Sequence, residues 1–264
     1  MLNKKLVLLD MDGTIYLGEQ LFDGVKETFD YFIKNNIDYV FLTNNSSHDI
    51  EFYEAKIKRM GLPCSKENFY SSTEVSIEYL HKIGAKRIFV LGNKCLKDKV
   101  KKDFEITSIY EKDKPVDAVL CGFDTELIYQ ELKDACLYLQ TSDCLFLATN
   151  GDYRCPIENG LYIPDCGGMI EWMRLCTGKT AKVLGKPDPE IVNQLMKKFN
   201  VKPNEVIAIG DRLYTDIKVA VNAKIDSVCV LSGESTLEDI NNYESKPTYI
   251  LDSIKDLPDL LEKI

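Results

Sequence analysis

The sequence predicts an α/β protein, a Rossmann-like doubly wound parallel sheet with helices on both faces and a second α/β domain inserted into it. Three observations carry this expectation. Short aliphatic runs alternate with amphipathic segments along the chain; polar clusters follow several of those runs; and well over a hundred residues of the same alternating kind separate the second cluster, at Thr43, from the third, at Lys186.

Leu6–Leu9 (LVLL) is continuously apolar, as a strand buried on both faces must be, and leads to a helical pattern over Val25–Lys34. Tyr39–Leu42 (YVFL) is the next strand, and the helix Glu51–Met60 after it is stopped by Gly61-Leu62-Pro63. Arg87–Leu91, Ala118–Cys121 and Cys144–Ala148 read as strands, the last two separated by a helical pattern over Leu127–Leu139. Val206–Asp211 (VIAIGD), Val228–Leu231 and Tyr249–Leu251 are the last strands, with helices around Asp216–Asn222 and Leu237–Asn242 between them. Strands that alternate with helices in this way pair in parallel.

At 264 residues, with 45% apolar and 28% charged side chains, the chain can fold around a large core or around a core and a smaller second one. Its net charge of −9 argues against a nucleic acid backbone or an anionic membrane surface as the main partner, while a local basic site for a small anion stays open. The nine cysteines form no C-x-x-C pair and several sit in apolar runs, which fits reduced core thiols in a cytoplasmic protein. The apolar run of MLNKKLVLLD is cut by Asp10 and is too short for a signal peptide or a membrane span.

Ligands of doubly wound sheets gather beyond the carboxyl ends of the strands. Four polar stretches stand there: DMDGT, TNNSS, GKPDPE and GDRLYTD. Two carboxylates as close as Asp10 and Asp12 raise each other's pKa unless a positive charge joins them, which suggests an oxygen-preferring divalent cation, Mg²⁺ above all. The plain alternative is a turn at Asp12-Gly13 capped by Asp10. Asp211 and Asp216 could complete the ligand set. Thr43 and Asn44 offer hydroxyl, amide and N–H groups to a phosphoryl oxygen, although Thr, Asn and Ser at such a place also cap helices. Lys186, held between Gly185 and Pro187, would balance the carboxylates and an incoming phosphate; a loop lysine of this kind can equally be solvated.

In this order the four stretches resemble the motifs of the haloacid dehalogenase (HAD) superfamily of phosphohydrolases: DxDGT, a strand-terminal Thr or Ser, a downstream Lys and a GDxxxxD acidic pair. The resemblance implies that Asp10 attacks phosphorus to give an aspartyl-phosphate and that Asp12 protonates the leaving oxygen and then deprotonates water. It implies Mg²⁺ held by Asp10, Asp211 and the backbone carbonyl of Asp12, with Asp216 in support and Thr43 and Lys186 on the phosphoryl oxygens. An acid at Asp12 favours phosphatases and phosphomutases over pumps that preserve the phosphoenzyme.

Between Asp12 and Thr43 there is room for one helix and its loops, so the insertion falls between Thr43 and Lys186, where this superfamily places its larger, C2-type α/β cap. The expected division is a core over 1–78 and 181–264 and a cap over 79–180. GFDTELIY (Gly122–Tyr129), ATNGD (Ala148–Asp152), GLYIPDCGG (Gly160–Gly168) and CTGKTAKVLGKPDPE resemble the NagD-like, para-nitrophenyl phosphatase branch. That branch hydrolyses small phosphomonoesters, among them sugar phosphates, nucleotides, phosphoglycolate and aryl phosphates. Its caps often mediate dimers, which makes a homodimer an expectation here. A cap of this size would shield the phosphoenzyme from bulk water.

Where the branch has P-G-x-G this chain has Pro164-Asp165-Cys166-Gly167, and Asp165 reads as a specificity residue or as a turn residue. Asp124, Asn150, Asp152 and Arg154 are candidates for contacts to the leaving group, with loop capping as the other explanation of each. A phosphomutase usually carries a smaller cap between the first two motifs, where this chain has no room. A phospho-ligand sensor on the same fold would be expected to lose Asp10, Asp12 or Lys186, and all three are present.

Overall fold

The computed structural model describes residues 3–157 and 161–264, so Gly160 at the head of GLYIPDCGG lies outside the described residues. The chain packs as two compact units. One comprises Met1–Thr43, Ile50–Tyr70 and Lys186–Ile264, the other Asn44–Asp49 and Ser71–Gly185.

The first unit is built on a six-stranded sheet in the order Tyr249–Leu251, Asp226–Val230, Val206–Gly210, Leu6–Leu9, Asp38–Thr43, Phe69–Ser71. Leu6–Leu9 is buried throughout, as its unbroken aliphatic run requires. It pairs in parallel with both neighbours, with Leu9 opposite Ile209 on one side and Phe41 on the other. Strand order reverses around it, later strands lying to one side and earlier ones to the other. Residues that follow Leu9, Phe41 and Ile209 therefore reach the same sheet edge, the place where doubly wound sheets bind ligands.

The helix Val25–Lys34 buries Val25, Thr28, Phe29 and Phe32, an apolar stripe at three- and four-residue spacing. Its Phe29 ring lies 5.7 Å from Phe41, which in turn stacks on Phe69 at 4.8 Å. Ring pairs of this kind add about 0.5–1.5 kcal/mol each beyond their buried area. They pin the helix to the sheet next to the strands that end in Asp10 and Thr43.

The second unit carries its own five-stranded sheet in the order Lys182–Val183, Leu145–Ala148, Ala118–Cys121, Arg87–Leu91, Glu105–Thr107, with every pair parallel. The helices Tyr129–Thr141 and Cys166–Thr177 supply Leu132, Ala135, Leu139, Met169 and Met173 to its core. Arg154–Pro156 and Tyr162–Pro164 form a short antiparallel ribbon. The main segment of the unit, Ser71–Gly185, starts ahead of Tyr79 and includes the helix Ser72–Lys82. All nine cysteines are free thiols, five of them buried. Among the described residues no helix is long and apolar enough to cross a membrane.

Candidate active site

At the carboxyl edge of the first sheet three carboxylates meet. Asp10 follows the strand Leu6–Leu9, while Asp211 and Asp216 come from the segment after Val206–Gly210; one oxygen from each lies within 4.8 Å of the others. The backbone N–H of Asp10 still donates to Ile209 O at 2.8 Å, so the sheet's own register fixes where this residue stands. Lys186 reaches the same point from the other end of the chain. Its ammonium donates to Asp10 Oδ1 at 2.7 Å, to Asp216 Oδ1 at 2.5 Å and to Leu42 O at 3.2 Å, and the side chain is only 4% exposed.

Asp211 is held differently. Its Oδ2 accepts the Glu234 N–H at 2.7 Å, and its backbone carbonyl accepts that of Ser235 at 3.2 Å. Gly13 and Gly233 close on its carboxylate so tightly that a Cβ on either would overlap it, and Gly13 also takes φ +84°, which favours glycine. Asp211 Oδ1 is buried and has no hydrogen-bond partner. Asp216 Oδ2 accepts the Arg212 N–H at 3.1 Å.

Burial pushes the Asp10 carboxyl well above the usual carboxylate range. Asp216 and Asp211 add to that rise, against the pull of Lys186 and Arg212. Burial and Asp216 raise Asp211 to about 7, with the Glu234 N–H and Arg212 opposing. Burial works against the charge on Lys186, but Asp10 and Asp216 outweigh it and hold the ammonium protonated.

These groups fit a hard divalent cation. Three buried or half-buried carboxylates face one ammonium, since Arg212 is ion-paired with Glu234 at 3.1 Å, and the raised Asp10 and Asp211 carboxyls mark a cluster short of positive charge, as a divalent cation would supply. The orphaned Asp211 Oδ1 is a ready oxygen ligand.

Asp12 does not share in the carboxylate cluster through its side chain. It is solvent-exposed by area, its Oδ2 accepts the Tyr16 hydroxyl at 3.3 Å, and the Lys56 ammonium lies 3.9 Å from the Tyr16 ring centroid. The protein mass around Asp12 still raises its carboxyl above the ordinary value, against Lys56, the Tyr16 hydrogen bond, Arg212 and Lys186. Thr43 ends the strand Asp38–Thr43, two positions past Phe41, the register partner of Leu9.

Asn44 stands in the second unit, where its amide donates to Asp152 Oδ2 at 2.8 Å. Asn150 donates to the same oxygen at 3.0 Å and to Asp165 Oδ1 at 3.1 Å. Asp165 is the N-cap of the helix Cys166–Thr177, accepting from Cys166 N at 2.5 Å. Asp124 Oδ1 accepts the Glu126 N–H at 2.8 Å, and Arg154 lies over the Tyr162 ring at 4.2 Å. Asn44, Asn150, Asp152 and Asp165 thus form one hydrogen-bonded network within the second unit.

The sequence reading passes over Tyr16, Lys56, Arg212 and Glu234. A signal existed for two of them: Arg212 lies inside GDRLYTD, and Glu234 follows the apolar run Val228–Leu231 as a fifth polar strand end.

Comparison with known proteins identifies the family of the chain. A family model for haloacid dehalogenase-like hydrolases matches residues 4–224, and the chain belongs to that family. An acid sugar phosphatase from Staphylococcus aureus (strain USA300) is 30% identical over 98% of both chains. The structure of a 4-nitrophenylphosphatase from Thermotoga maritima superposes with a TM-score of 0.90 at 35% identity, covering 97% of each chain. A glycerol phosphate phosphatase from Mycobacterium tuberculosis, solved in complex with magnesium, gives 0.88 at 27% identity over 98% of this chain and 78% of that one.

Proposed function

We propose that this protein is a Mg²⁺-dependent phosphatase of small phosphomonoesters, such as sugar phosphates, nucleotides, phosphoglycolate or aryl phosphates, and that it works through an aspartyl-phosphate. The observation that carries the reading is the buried ammonium of Lys186 joining Asp10 to Asp216, with Asp211 Oδ1 unpartnered beside them. The relatives support the substrate class, since the three are named for sugar phosphates, 4-nitrophenyl phosphate and glycerol phosphate.

In this proposal Asp10 attacks phosphorus, forming an O–P bond as the ester oxygen leaves. Asp12 gives that oxygen its proton. It then takes a proton from the water that cleaves the acyl phosphate, which frees phosphate and regenerates Asp10. Lys186 and Thr43 hold the phosphoryl oxygens. Asp10, Asp211 and the Asp12 carbonyl, with Asp216 in support, would hold Mg²⁺, which when bound supplies charge compensation for the phosphoryl group. The unit around Ser71–Gly185 is assigned as the cap, the protein is placed in the cytoplasm, and a homodimer is its proposed state.

The test is phosphate release from a panel of sugar phosphates, nucleotides, small acid phosphates and 4-nitrophenyl phosphate, with and without Mg²⁺. Turnover that needs Mg²⁺ and vanishes in a folded Asp10→Asn variant is the expected result. Full activity in that variant would remove Asp10 as nucleophile.

A further inference from the structure

We propose that Glu234 is a positioning residue for the cation site: pinned by Arg212 and Tyr214, it holds Asp211 by Oδ2 and leaves Oδ1 open to a divalent cation. The inference rests on the reading of Asp10 and Asp211 as cation ligands and adds to it the device that orients one of them.

The argument starts from what fixes Asp211. Both backbone donors to it, Glu234 N–H on Oδ2 at 2.7 Å and Ser235 N–H on its carbonyl at 3.2 Å, come from one loop after the strand Asp226–Val230. A loop can orient a carboxylate only if it is itself restrained. The Glu234 side chain supplies that restraint: its Oε2 lies 3.1 Å from Arg212 Nε, and the Tyr214 hydroxyl stands 3.3 and 3.4 Å from its two oxygens. Ser232 adds a second tie through its hydroxyl, which donates to Gly13 O at 2.9 Å.

Arg212 also works in the opposite direction, donating its N–H to Asp216 Oδ2. One residue thus links the two acidic positions of GDRLYTD to the Glu234 loop. The paired side chains of Arg212 and Glu234 are 16% and 19% exposed, so water screens them far less than a surface ion pair. Partners that orient a metal ligand without touching the metal typically change affinity about 10–100-fold.

The experiment is calorimetric titration of the metal-free, full-length protein with MgCl₂, alongside its melting temperature without metal. Glu234→Ala should weaken Mg²⁺ binding about tenfold. Glu234→Gln keeps an acceptor for Arg212 and Tyr214 and should stay within about threefold of the parent protein. Arg212→Gln separates positioning from charge. Removing a nearby cation strengthens Mg²⁺ binding by Coulomb's law alone, whereas loss of the clasp weakens it.

A tighter site in Arg212→Gln overturns the inference. So does a Glu234→Ala affinity within twofold of the parent, or a Glu234→Gln variant as weak as Glu234→Ala. If the alanine variant does not fold, Arg212→Gln and Tyr214→Phe decide, both with weaker binding expected and unchanged binding counting against the clasp. A parent protein that binds no Mg²⁺ sinks the cation reading itself, a different outcome from a bound cation indifferent to Glu234.

Discussion

The ammonium of Lys186 lies 2.7 Å from Asp10 Oδ1 across a sequence separation of 176 residues, and the same nitrogen reaches Asp216. Replacing it with methionine leaves two buried carboxylates facing each other without their cation. Breaking a buried pair in this way costs about 3–5 kcal/mol. Lys186→Met should therefore be destabilised by that order at pH 8 and by less as the pH falls, because burial and the neighbouring carboxylates raise the Asp10 carboxyl and favour its neutral form. Thermal unfolding of metal-free protein from pH 8 downward checks the prediction, and a loss of equal size at every pH would contradict it.

Stability of the metal-free protein should fall as pH rises. Asp211 titrates near 7 in the folded protein against an ordinary value of 3.8, so folding favours its neutral form. Its contribution is fully present below about pH 4 and is lost as pH climbs through 7. The upper bound is on the order of 4 kcal/mol, spread over the interacting carboxylates. Asp211→Asn should flatten this slope, and the stabilisation gained on adding Mg²⁺ to the parent should grow over the same interval. Melting curves from pH 4 to pH 8, with chelator and with Mg²⁺, read both effects.

A methyl group at Gly233 has no space. The Cβ of an alanine there would overlap the Asp211 carboxylate, so Gly233→Ala must push Asp211 or the loop aside. Overpacking of this kind typically costs about 1–3 kcal/mol. Metal affinity should fall further than stability, because the displaced group is itself a ligand. Calorimetry and melting temperature measured together distinguish the two, and a variant that loses stability while keeping its Mg²⁺ affinity would argue against Asp211 as ligand.

How much of this could be read from the sequence depends on how each feature is encoded. Asp10, Asp211 and Asp216 were legible because each stands at or near the end of an apolar run, and parallel register brings those ends to one edge of one sheet, whereas Lys186 follows an edge strand of the other sheet and was legible only from its loop, between Gly185 and Pro187. The Glu234–Arg212 pair was not, since it depends on two loops meeting in space and no spacing rule links them. The helix Ser72–Lys82 is obscure for another reason: its buried face includes Ser72, Thr73 and Ser76, so apolar periodicity is faint. The helix Cys166–Thr177 has glycines at its second and third positions and leaves Trp172 and Leu175 exposed, which blurs its two faces. Asp165 shows the limit most plainly. Its sequence position suits a specificity residue or a turn, and only the bond to Cys166 N identifies a helix cap.

That cap can be tested. Asp165 is 5% exposed, satisfies the first turn of Cys166–Thr177 and accepts from Asn150. Asp165→Ala should lower stability by about 1–2 kcal/mol, and Asp165→Asn by less because an amide oxygen can still cap. Denaturant midpoints followed by far-ultraviolet circular dichroism give the comparison. Equal stability of all three proteins would mean the cap contributes nothing measurable.

Asp12 offers the sharpest kinetic contrast. A sugar alkoxide needs a proton to leave, whereas 4-nitrophenolate departs as the anion, and both routes need a base to activate water afterwards. Asp12→Ala should therefore slow sugar phosphate turnover about 10²–10⁴-fold at the first step. With 4-nitrophenyl phosphate the same variant should release about one equivalent of nitrophenolate in a burst and then turn over slowly, as the phosphorylated Asp10 accumulates. Tyr16→Phe, which removes the hydroxyl 3.3 Å from Asp12 Oδ2, should show the same preference in milder form. A loss of equal size for both substrates, with no burst, would mean that Asp12 does not carry the proton.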